Sequence, residues 1–209
     1  MLLTAKIKSA LPQKNNTPEP QTFCPKNPED WRRWLEENHQ GQQAVWIVYL
    51  KKTAGTPNLS WSEAVTEALC FGWIDSTAKS LDAEKYIQFF TKRKPKSVWS
   101  KVNKDKVELL IAQGKMAEAG HKSIETAKQN GSWTSLDAVE ALEVPEDLAQ
   151  AFGMQPAAQE FYQSLSRSAR KSILYWLALG KRAETRQKRI AEIVELGVQG
   201  KKPRHFWNG

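Results

Sequence analysis

An uninterrupted run of β-branched, aromatic and aliphatic residues stands in the first quarter of the chain: Val45-Trp46-Ile47-Val48-Tyr49-Leu50. A run of this kind, without polar positions at every second residue, is typical of a strand that is buried on both faces. Further along the chain, a second strand is predicted over residues 85–91, and a short one begins at Trp73, directly after Gly72. The sequence therefore predicts a small sheet in its N-terminal part.

Helix start signals stand between these strands. Asn27 precedes Pro28, which is the pattern of an N-cap followed by proline at the first helical position. Ser60 and Glu63 have the spacing of a capping box, and Ser100 precedes another segment with apolar residues at helical spacing. We therefore expect the sheet to be packed by helices.

Beyond Pro145 the pattern is helical only. Ser166 is suited to cap a helix that stops at Gly180, and a last helix follows with one apolar face. We expect an α+β fold, with a small mixed or antiparallel sheet packed by helices and then a C-terminal helical hairpin. The predicted division is a flexible N-terminal segment 1–22, an α+β domain 23–140, a helical region 141–200 and a basic tail 201–209.

The composition narrows the class of protein. The chain has 209 residues, a net charge of +8 and nine tryptophans. A basic chain favours nucleic acid, anionic headgroups or phosphorylated small molecules as partners, although charge alone identifies none of them. Cys24 and Cys70 are the only cysteines and the three histidines are far apart, so we expect no disulfide framework and no metal site. No signal peptide or membrane span is evident, and a cytoplasmic location is expected.

The first candidate site is the point where a predicted helix passes into a strand, at Gly72-Trp73-Ile74-Asp75. Asp75 has the chemistry of a general base or of a ligand for a cationic group, and Trp73 offers a ring for stacking. The structural alternative is that Gly72 is a left-handed cap and that Asp75 binds local backbone amides. Cys70 is expected to be a buried apolar residue, because a helix C-terminus disfavours the thiolate.

The second candidate site is the basic loop (residues 92–100) that precedes the helix after Ser100. It combines four basic residues, two serines and a tryptophan with the N–H groups of a helix start, which together favour an anion. The alternative is a solvated loop before a serine-capped helix. The residues that we expect to bind a ligand in these two candidates are Trp73, Asp75, Arg93, Lys94, Ser97, Trp99, Ser100 and Asn103.

The third candidate is a stripe of arginines on the last predicted helix, at Arg182, Arg186 and Arg189. Together with Lys92 in the basic loop, this stripe supports nucleic-acid binding as an alternative function, because such a stripe can follow a phosphate backbone. The alternative interpretation is that the stripe is the solvent-exposed face of an amphipathic helix.

The common enzyme signatures are missing from the sequence. It contains no phosphate-binding glycine loop, no dinucleotide fingerprint and no GxSxG motif. We therefore expect no cofactor, and the sequence leaves open whether the protein is an enzyme. An enzymatic alternative requires Asp75 and Arg93 to face one pocket.

Several of these stretches resemble the YdeI/OmpD-associated family, which is also labelled bacteriocin protection. The resemblance covers nearly everything from about Phe23 onward. It is carried by Glu67 to Ser76, Phe90 to Asn103, Gly114 to Gly120, Ala127 to Trp133 and Gly180 to Ile190. Two residues depart from the family pattern, which usually has proline in place of Lys92 and alanine in place of Gly180.

The resemblance implies a role in bacteriocin or stress tolerance in bacteria, and it implies no reaction and no catalytic residue. We expect a non-catalytic binding protein with a cleft between the Trp73 to Asp75 turn and the Arg93 to Asn103 loop, whose ligand is an anionic small molecule or an acidic protein surface. A cationic bacteriocin fits poorly as a direct ligand, because a chain of charge +8 repels a basic peptide unless a local patch is acidic. The sequence does not indicate the oligomeric state.

Overall fold

A computed structural model describes residues 21–55 and 57–203 of the chain. Within them lie nine helices, a short 3-10 helix at Lys52–Ala54 and a four-stranded sheet, which confirms the α+β class. The strands are β1 (Gln21–Phe23), β2 (Ala44–Leu50), β3 (Trp73–Ser80) and β4 (Lys85–Lys92). The helices are α1 (Pro28–Asn38), α2 (Trp61–Cys70), α3 (Lys101–Ala112), α4 (Glu118–Gln129), α5 (Asp137–Glu140), α6 (Glu146–Met154), α7 (Pro156–Ser164), α8 (Arg167–Ala178) and α9 (Ala183–Val198).

The sheet has the strand order β1-β2-β4-β3 and is mixed. β1 is parallel to β2, with Phe23 opposite Ile47, whereas β2 and β4 are antiparallel, with Ile47 opposite Gln88. β2 is the apolar run predicted from the sequence. Its Val45, Ile47 and Tyr49 side chains are completely buried on one face. On the other face, Val48 is buried and Trp46 packs against Phe89 with 4.7 Å between ring centroids, so apolar residues occupy both faces of the strand.

The contacts divide the chain into two compact units. The first contains the residues up to Ala64 together with Asp75–Lys92, and the second contains Val65–Ile74 together with Arg93 onward. Most of the predicted flexible segment 1–22 and of the basic tail lies outside the described residues, which begin at residue 21 and end at residue 203. The predicted domain boundaries stay predictions.

In the first unit, α1 begins where the sequence predicts. The Asn27 side chain accepts a hydrogen bond from the backbone N–H of Asp30 at 2.8 Å, and Pro28 is the first helical residue. Trp31 is completely buried and lies edge-on to Phe90, with 5.5 Å between ring centroids. This aromatic contact packs α1 against the face of β4.

β3 is longer than the short strand that the sequence predicts. It begins at Trp73, directly after Gly72, whose φ of +70° is the left-handed conformation expected of a glycine cap. The strand continues to Ser80 through a half with exposed polar side chains. That half carries no apolar pattern, and pairing with β4 satisfies its backbone instead.

The predicted N-caps are confirmed. Ser60 and Glu63 form both bonds of a capping box, with 3.2 Å from the Glu63 N–H to the serine oxygen and 2.8 Å from the Ser60 N–H to the carboxylate. These bonds hold the pKa of Glu63 below its ordinary value. Ser100 and Ser166 each accept the N–H of the third residue that follows them.

The C-terminal region contains more helices than the predicted hairpin. α8 and α9 are the predicted pair, and α6 and α7 precede them. A shared core joins these helices, with a close approach where a Cβ on Gly197 of α9 would lie 3.0 Å from the Ala158 side chain of α7. The completely or nearly completely buried members of that core include Leu148, Phe152, Tyr162, Ile173, Leu177 and Ile193.

α4 lies very close to the end of α2 in the second unit. The N–H of Ala117 donates to the carbonyl oxygen of Cys70 at 3.0 Å. A Cβ on Gly120 would overlap the same oxygen and would lie 2.6 Å from the Met116 methyl carbon. Because a backbone oxygen cannot move aside as a flexible side chain can, this contact requires glycine.

Gly120→Ala is therefore expected to lower the free energy of unfolding by about 1–3 kcal/mol, because it overpacks the contact between α4 and Cys70. The matched control is Gly153→Ala in α6, where no heavy atom lies within 4 Å of the added Cβ. That change should be neutral or should stabilise by about 0.5–1 kcal/mol. Urea unfolding followed by circular dichroism measures both, and equal effects of the two changes would contradict the close approach.

Candidate functional site

Arg93 closes the basic loop in the second unit. Its backbone N–H donates to the carbonyl of Gly72 at 2.9 Å, and its guanidinium Nη2 donates to the carbonyl of Val98 at 2.7 Å. The guanidinium carbon also lies 3.8 Å from the ring centroid of Trp99. A cation over the face of an indole is attracted by the ring quadrupole. Arg93 thus holds the loop in one shape, and its predicted contact with a ligand stays a prediction.

Trp99 and Ser100 have structural roles at the start of α3. The Trp99 side chain is 1% exposed, and its ring packs against Trp133 with 4.9 Å between centroids. The Ser100 hydroxyl accepts the backbone N–H of Asn103 at 3.3 Å. The cap that the sequence predicts is therefore present, together with a buried tryptophan beside it. Whether either residue also contacts a ligand stays a prediction.

The basic loop is also attached to the turn after α4. The carbonyl of Pro95 accepts hydrogen bonds from the Asn130 amide at 2.7 Å and from the Ser132 hydroxyl at 3.3 Å. The Asn130 side chain in turn accepts the backbone N–H of Ser132 at 3.0 Å. Gly131 between them has a φ of +77°, which glycine adopts without strain. These bonds fix the side of the loop that carries Lys94 and Lys96.

A cavity of about 200 Å³ lies beside this junction, and we call it the lysine cavity. Lys96 of the basic loop and Lys181 of the segment between α8 and α9 both line it, and no carboxylate does. Both lysines are exposed, and neither amino group has an ion-pair partner in the part of the chain that the structure describes. The remaining lining residues are Val98, Asn130, Gly131, Ser132, Ser135, Leu136, Ala178 and Leu179. Two exposed ammonium groups in a lining without a carboxylate have the chemistry of an anion site, whereas the Ser132 and Ser135 hydroxyls already donate to the carbonyls of Pro95 and Ser132.

The sequence analysis did not predict the residues from Asn130 to Leu136 that form one side of the lysine cavity. The sequence predicts Asn130-Gly131 only as the end of α4, and it assigns no role to Ser132 or Ser135. The turn signal of Asn130-Gly131, followed by a serine, was the local feature of the sequence that could have indicated this side of the cavity. No pattern in the sequence connects Lys96 with Lys181, because tertiary packing alone brings them together.

In the first unit, two side chains hold Asp75. Trp61 Nε1 and Gln88 Nε2 both donate to its Oδ2, at 2.9 and 2.6 Å. Asp75 therefore accepts hydrogen bonds from two side chains, whereas the structural alternative predicted bonds from local backbone amides. The hydroxyl of Tyr49 is buried without a hydrogen-bond partner among the residues described. Burial, and then the neighbouring Tyr86 and Asp75, raise the pKa of Tyr49.

The other predicted residues have varied surroundings. Trp73 is completely buried, Ser97 forms a turn by donating its N–H to the carbonyl of Lys94 at 2.9 Å, and Lys94 is exposed. In the first unit, the Lys92 amino group donates to the carbonyl of Gln40 at 2.7 Å. Ligand binding by these residues, and the enzymatic alternative that combines Asp75 with Arg93, stay predictions.

The arginine stripe of α9 is partly engaged within the second unit. Arg186 forms a two-bond ion pair with Asp147 of α6, and this pair lowers the pKa of Asp147 and raises that of Arg186. Arg189 donates to the carbonyl of Trp176, and its guanidinium carbon lies 4.9 Å from the centroid of that ring. Arg182 is exposed, outside the helix. Two of the three arginines therefore stabilise helix packing.

Residues 21–55 and 57–203, which the structure describes, contain no group of three or more His, Cys, Asp or Glu side chains that could bind a metal ion. The helices that they form are all too short or too polar to cross a membrane.

The fold and the cavity define the class: an α+β protein with a helical C-terminal region and a basic surface cavity. Residues 141–200 match the model of the family described as Bacteriocin-protection, YdeI or OmpD-Associated. The predicted resemblance to this family is thereby confirmed for residues 141–200, which contain Gly180 to Ile190 among the stretches that carry it.

A second family model covers the N-terminal part. Residues 23–123 match a model described as Domain of unknown function (DUF8412). This range contains the resemblance stretches Glu67 to Ser76 and Phe90 to Asn103. No curated protein and no solved structure matches the chain. The two matched ranges do not overlap.

Replacing Arg186 by methionine should lower stability at neutral pH by no more than about 1 kcal/mol, because Asp147 and Arg186 are 43% and 30% exposed. The pKa of Asp147 is lower in the folded state than in the unfolded state. The stabilisation is therefore present above about pH 4 and is lost as the pH falls through the folded-state pKa. When urea unfolding is measured at a series of pH values, the free energies of unfolding of wild type and Arg186→Met should become equal in acid.

The control for this comparison is Lys188→Met, which removes an exposed pair with Glu184 on the same helix. Its effect should be about 0–0.5 kcal/mol at neutral pH. A difference in stability between wild type and Arg186→Met that does not shrink toward the acid end of the series would contradict the role of the Asp147 carboxylate.

Proposed function

We propose that this protein is a non-catalytic binding protein of bacterial bacteriocin or stress tolerance, and that it binds an anionic small molecule in the lysine cavity. The single observation that carries the proposal is the meeting of Lys96 and Lys181 in one cavity without a carboxylate in its lining. A cytoplasmic location is part of the proposal. The family description supports the role in tolerance, and the cavity supports the class of ligand.

The shape of the cavity favours a small ligand over a protein surface. A volume of about 200 Å³ is below that of sites for drug-sized ligands and suits a group such as a phosphate monoester. The wall at Asn130 and Ser132 is already fixed by its bonds to Pro95, so that ligand binding does not have to order it. Because both lysines are exposed, we expect a dissociation constant on the order of 1 mM for inorganic phosphate.

The nucleic-acid alternative shares part of this support. Lys96 in the basic loop and Lys181 beside the arginine stripe contact the same cavity, as a common binding face would require. Arg186 and Arg189, however, already bind Asp147 and Trp176. A phosphate backbone would have to displace these contacts, which favours the small anion.

The test is a titration with sodium phosphate and with glycerol phosphate at constant ionic strength. NMR monitors the backbone amide chemical shifts at each step of the titration. Gly131, Ser132 and Ser135 should show saturable shifts, because their amides belong to the wall of the lysine cavity. The double change Lys96→Ala and Lys181→Ala should weaken binding by about tenfold or more, since both cations are lost.

The charge-matched control is Lys26→Ala with Lys122→Ala, two exposed lysines outside the cavity. This control should bind phosphate as the wild type does. Equal losses in both double variants would show general charge attraction and would overturn the proposal. Tighter binding of a single-stranded oligonucleotide, with a steep dependence on salt, would favour the nucleic-acid alternative.

A further inference from the structure

A groove of about 800 Å³ lies between α6 and α9, within the second unit. We call it the α6–α9 groove, and its position and chemistry are independent of the lysine cavity. Its apolar lining residues are Ala151, Met154, Ile190, Ala191, Val194 and Val198. Met154 and Val198 are 75% and 48% exposed, so large apolar side chains remain in water there. Contiguous exposed apolar surface of this kind typically marks an interaction site.

The spacing of the lining residues suits a helix as the occupant. On α9 they recur at four-residue steps, at Ile190, Val194 and Val198, and on α6 Ala151 and Met154 are three residues apart. Rows of this kind form ridges with a furrow between them, into which the apolar stripe of a third helix packs. The row from Ile190 to Val198 spans about 12 Å at 1.5 Å per residue, which is slightly more than two turns of a helix.

The charge of the groove is opposite to that of the chain. Its lining contains two carboxylates, Asp147 and Glu195, and no lysine or arginine. Asp147 is paired with Arg186, whereas Glu195 is exposed and has no ion-pair partner within residues 21–55 and 57–203. The C-terminal end of α9 adds the negative end of the helix dipole. Lys201, which follows α9, donates to the side chain of the lining residue Gln199 at 3.3 Å, so a cation lies at that end of the groove, and Glu195 is the carboxylate of the lining that is available to a partner.

α9 itself shows the same asymmetry. Its N-terminal half carries Arg186, Lys188 and Arg189 against the single acidic residue Glu184, and its C-terminal half carries Glu192 and Glu195 without a basic residue. The groove follows the acidic half. A chain of charge +8 repels basic partners on average, so a basic partner requires a local surface of this kind.

We propose that the α6–α9 groove binds an amphipathic helical segment of a partner protein, with apolar residues facing Ile190, Val194 and Met154 and a basic residue paired with Glu195. The apolar contacts provide the affinity, and the charge selects basic over acidic helices. The small side chains of Ala151 and Ala191 allow the partner helix to approach closely.

The test uses a synthetic 14-residue peptide of leucine and lysine at helical spacing, labelled for fluorescence anisotropy at physiological salt. A second peptide has glutamate at each lysine position, and a third has the composition of the first in an order without an apolar face. The lysine peptide should bind about tenfold or more tighter than the other two. Equal binding of the lysine and glutamate peptides would overturn the proposal.

Two variants test the location. Glu195→Lys should weaken binding of the lysine peptide by about tenfold and strengthen binding of the glutamate peptide. Ala191→Arg should weaken both, because it fills the groove. The matched control is Glu184→Lys, the same change of charge on the same helix outside the lining, and it should bind as wild type does. Circular dichroism of each variant checks that the helices are intact.

Other outcomes distinguish the alternatives. Unchanged peptide affinity in Glu195→Lys would overturn the proposed site. Concentration-dependent self-association that Ala191→Arg abolishes and the peptide does not displace would show that a second copy occupies the groove, and it would also overturn the proposal. The double variant Lys96→Ala and Lys181→Ala should bind the peptide normally, which separates this inference from the anion site.

Discussion

Two backbone carbonyls in the short segment from Cys70 to Gly72 anchor the second unit. The Cys70 oxygen accepts the N–H of Ala117 at the start of α4, and the Gly72 oxygen accepts the N–H of Arg93 at the start of the basic loop. Gly120 permits the first of these contacts, because any side chain there would meet the Cys70 carbonyl. The positions of α4 and of the loop, and therefore of the lysine cavity between them, depend on this segment.

The cations of this basic chain divide into two groups by chemistry. Arg93 and Arg189 lie over tryptophan rings and donate to backbone carbonyls, which suits a planar and weakly hydrated guanidinium. Lys96 and Lys181 remain exposed and without ion-pair partners among the residues that the structure covers. Lysine is a compact, strongly hydrated charge on a flexible stem, and it can meet an anion without disturbing the packing. Arg93 and Arg189 thus shape the surface, and Lys96 and Lys181 are available to a ligand.

The region that matches the bacteriocin-protection family contains the whole of the α6–α9 groove and one wall of the lysine cavity. The groove is apolar with an acidic margin, whereas the cavity is basic and lined by hydroxyls. Surfaces of opposite charge in one unit can hold different partners with little competition, since each excludes the ligand of the other electrostatically.

The sequence by itself determined the local structure: the N-caps at Asn27 and Ser100, the left-handed Gly72 and the apolar run of β2 follow from backbone sterics, unpaired N–H groups and apolar periodicity within a few residues. It also indicated the resemblance of residues 141–200 to the bacteriocin-protection family, and it indicated the basic loop as a candidate site. It could not show that Lys96 meets Lys181, that α6 and α9 leave a groove, or that β3 extends along polar residues, because these depend on packing between segments distant in the chain. Local patterns report what a residue favours, and only tertiary contacts decide which side chains are engaged and which remain available.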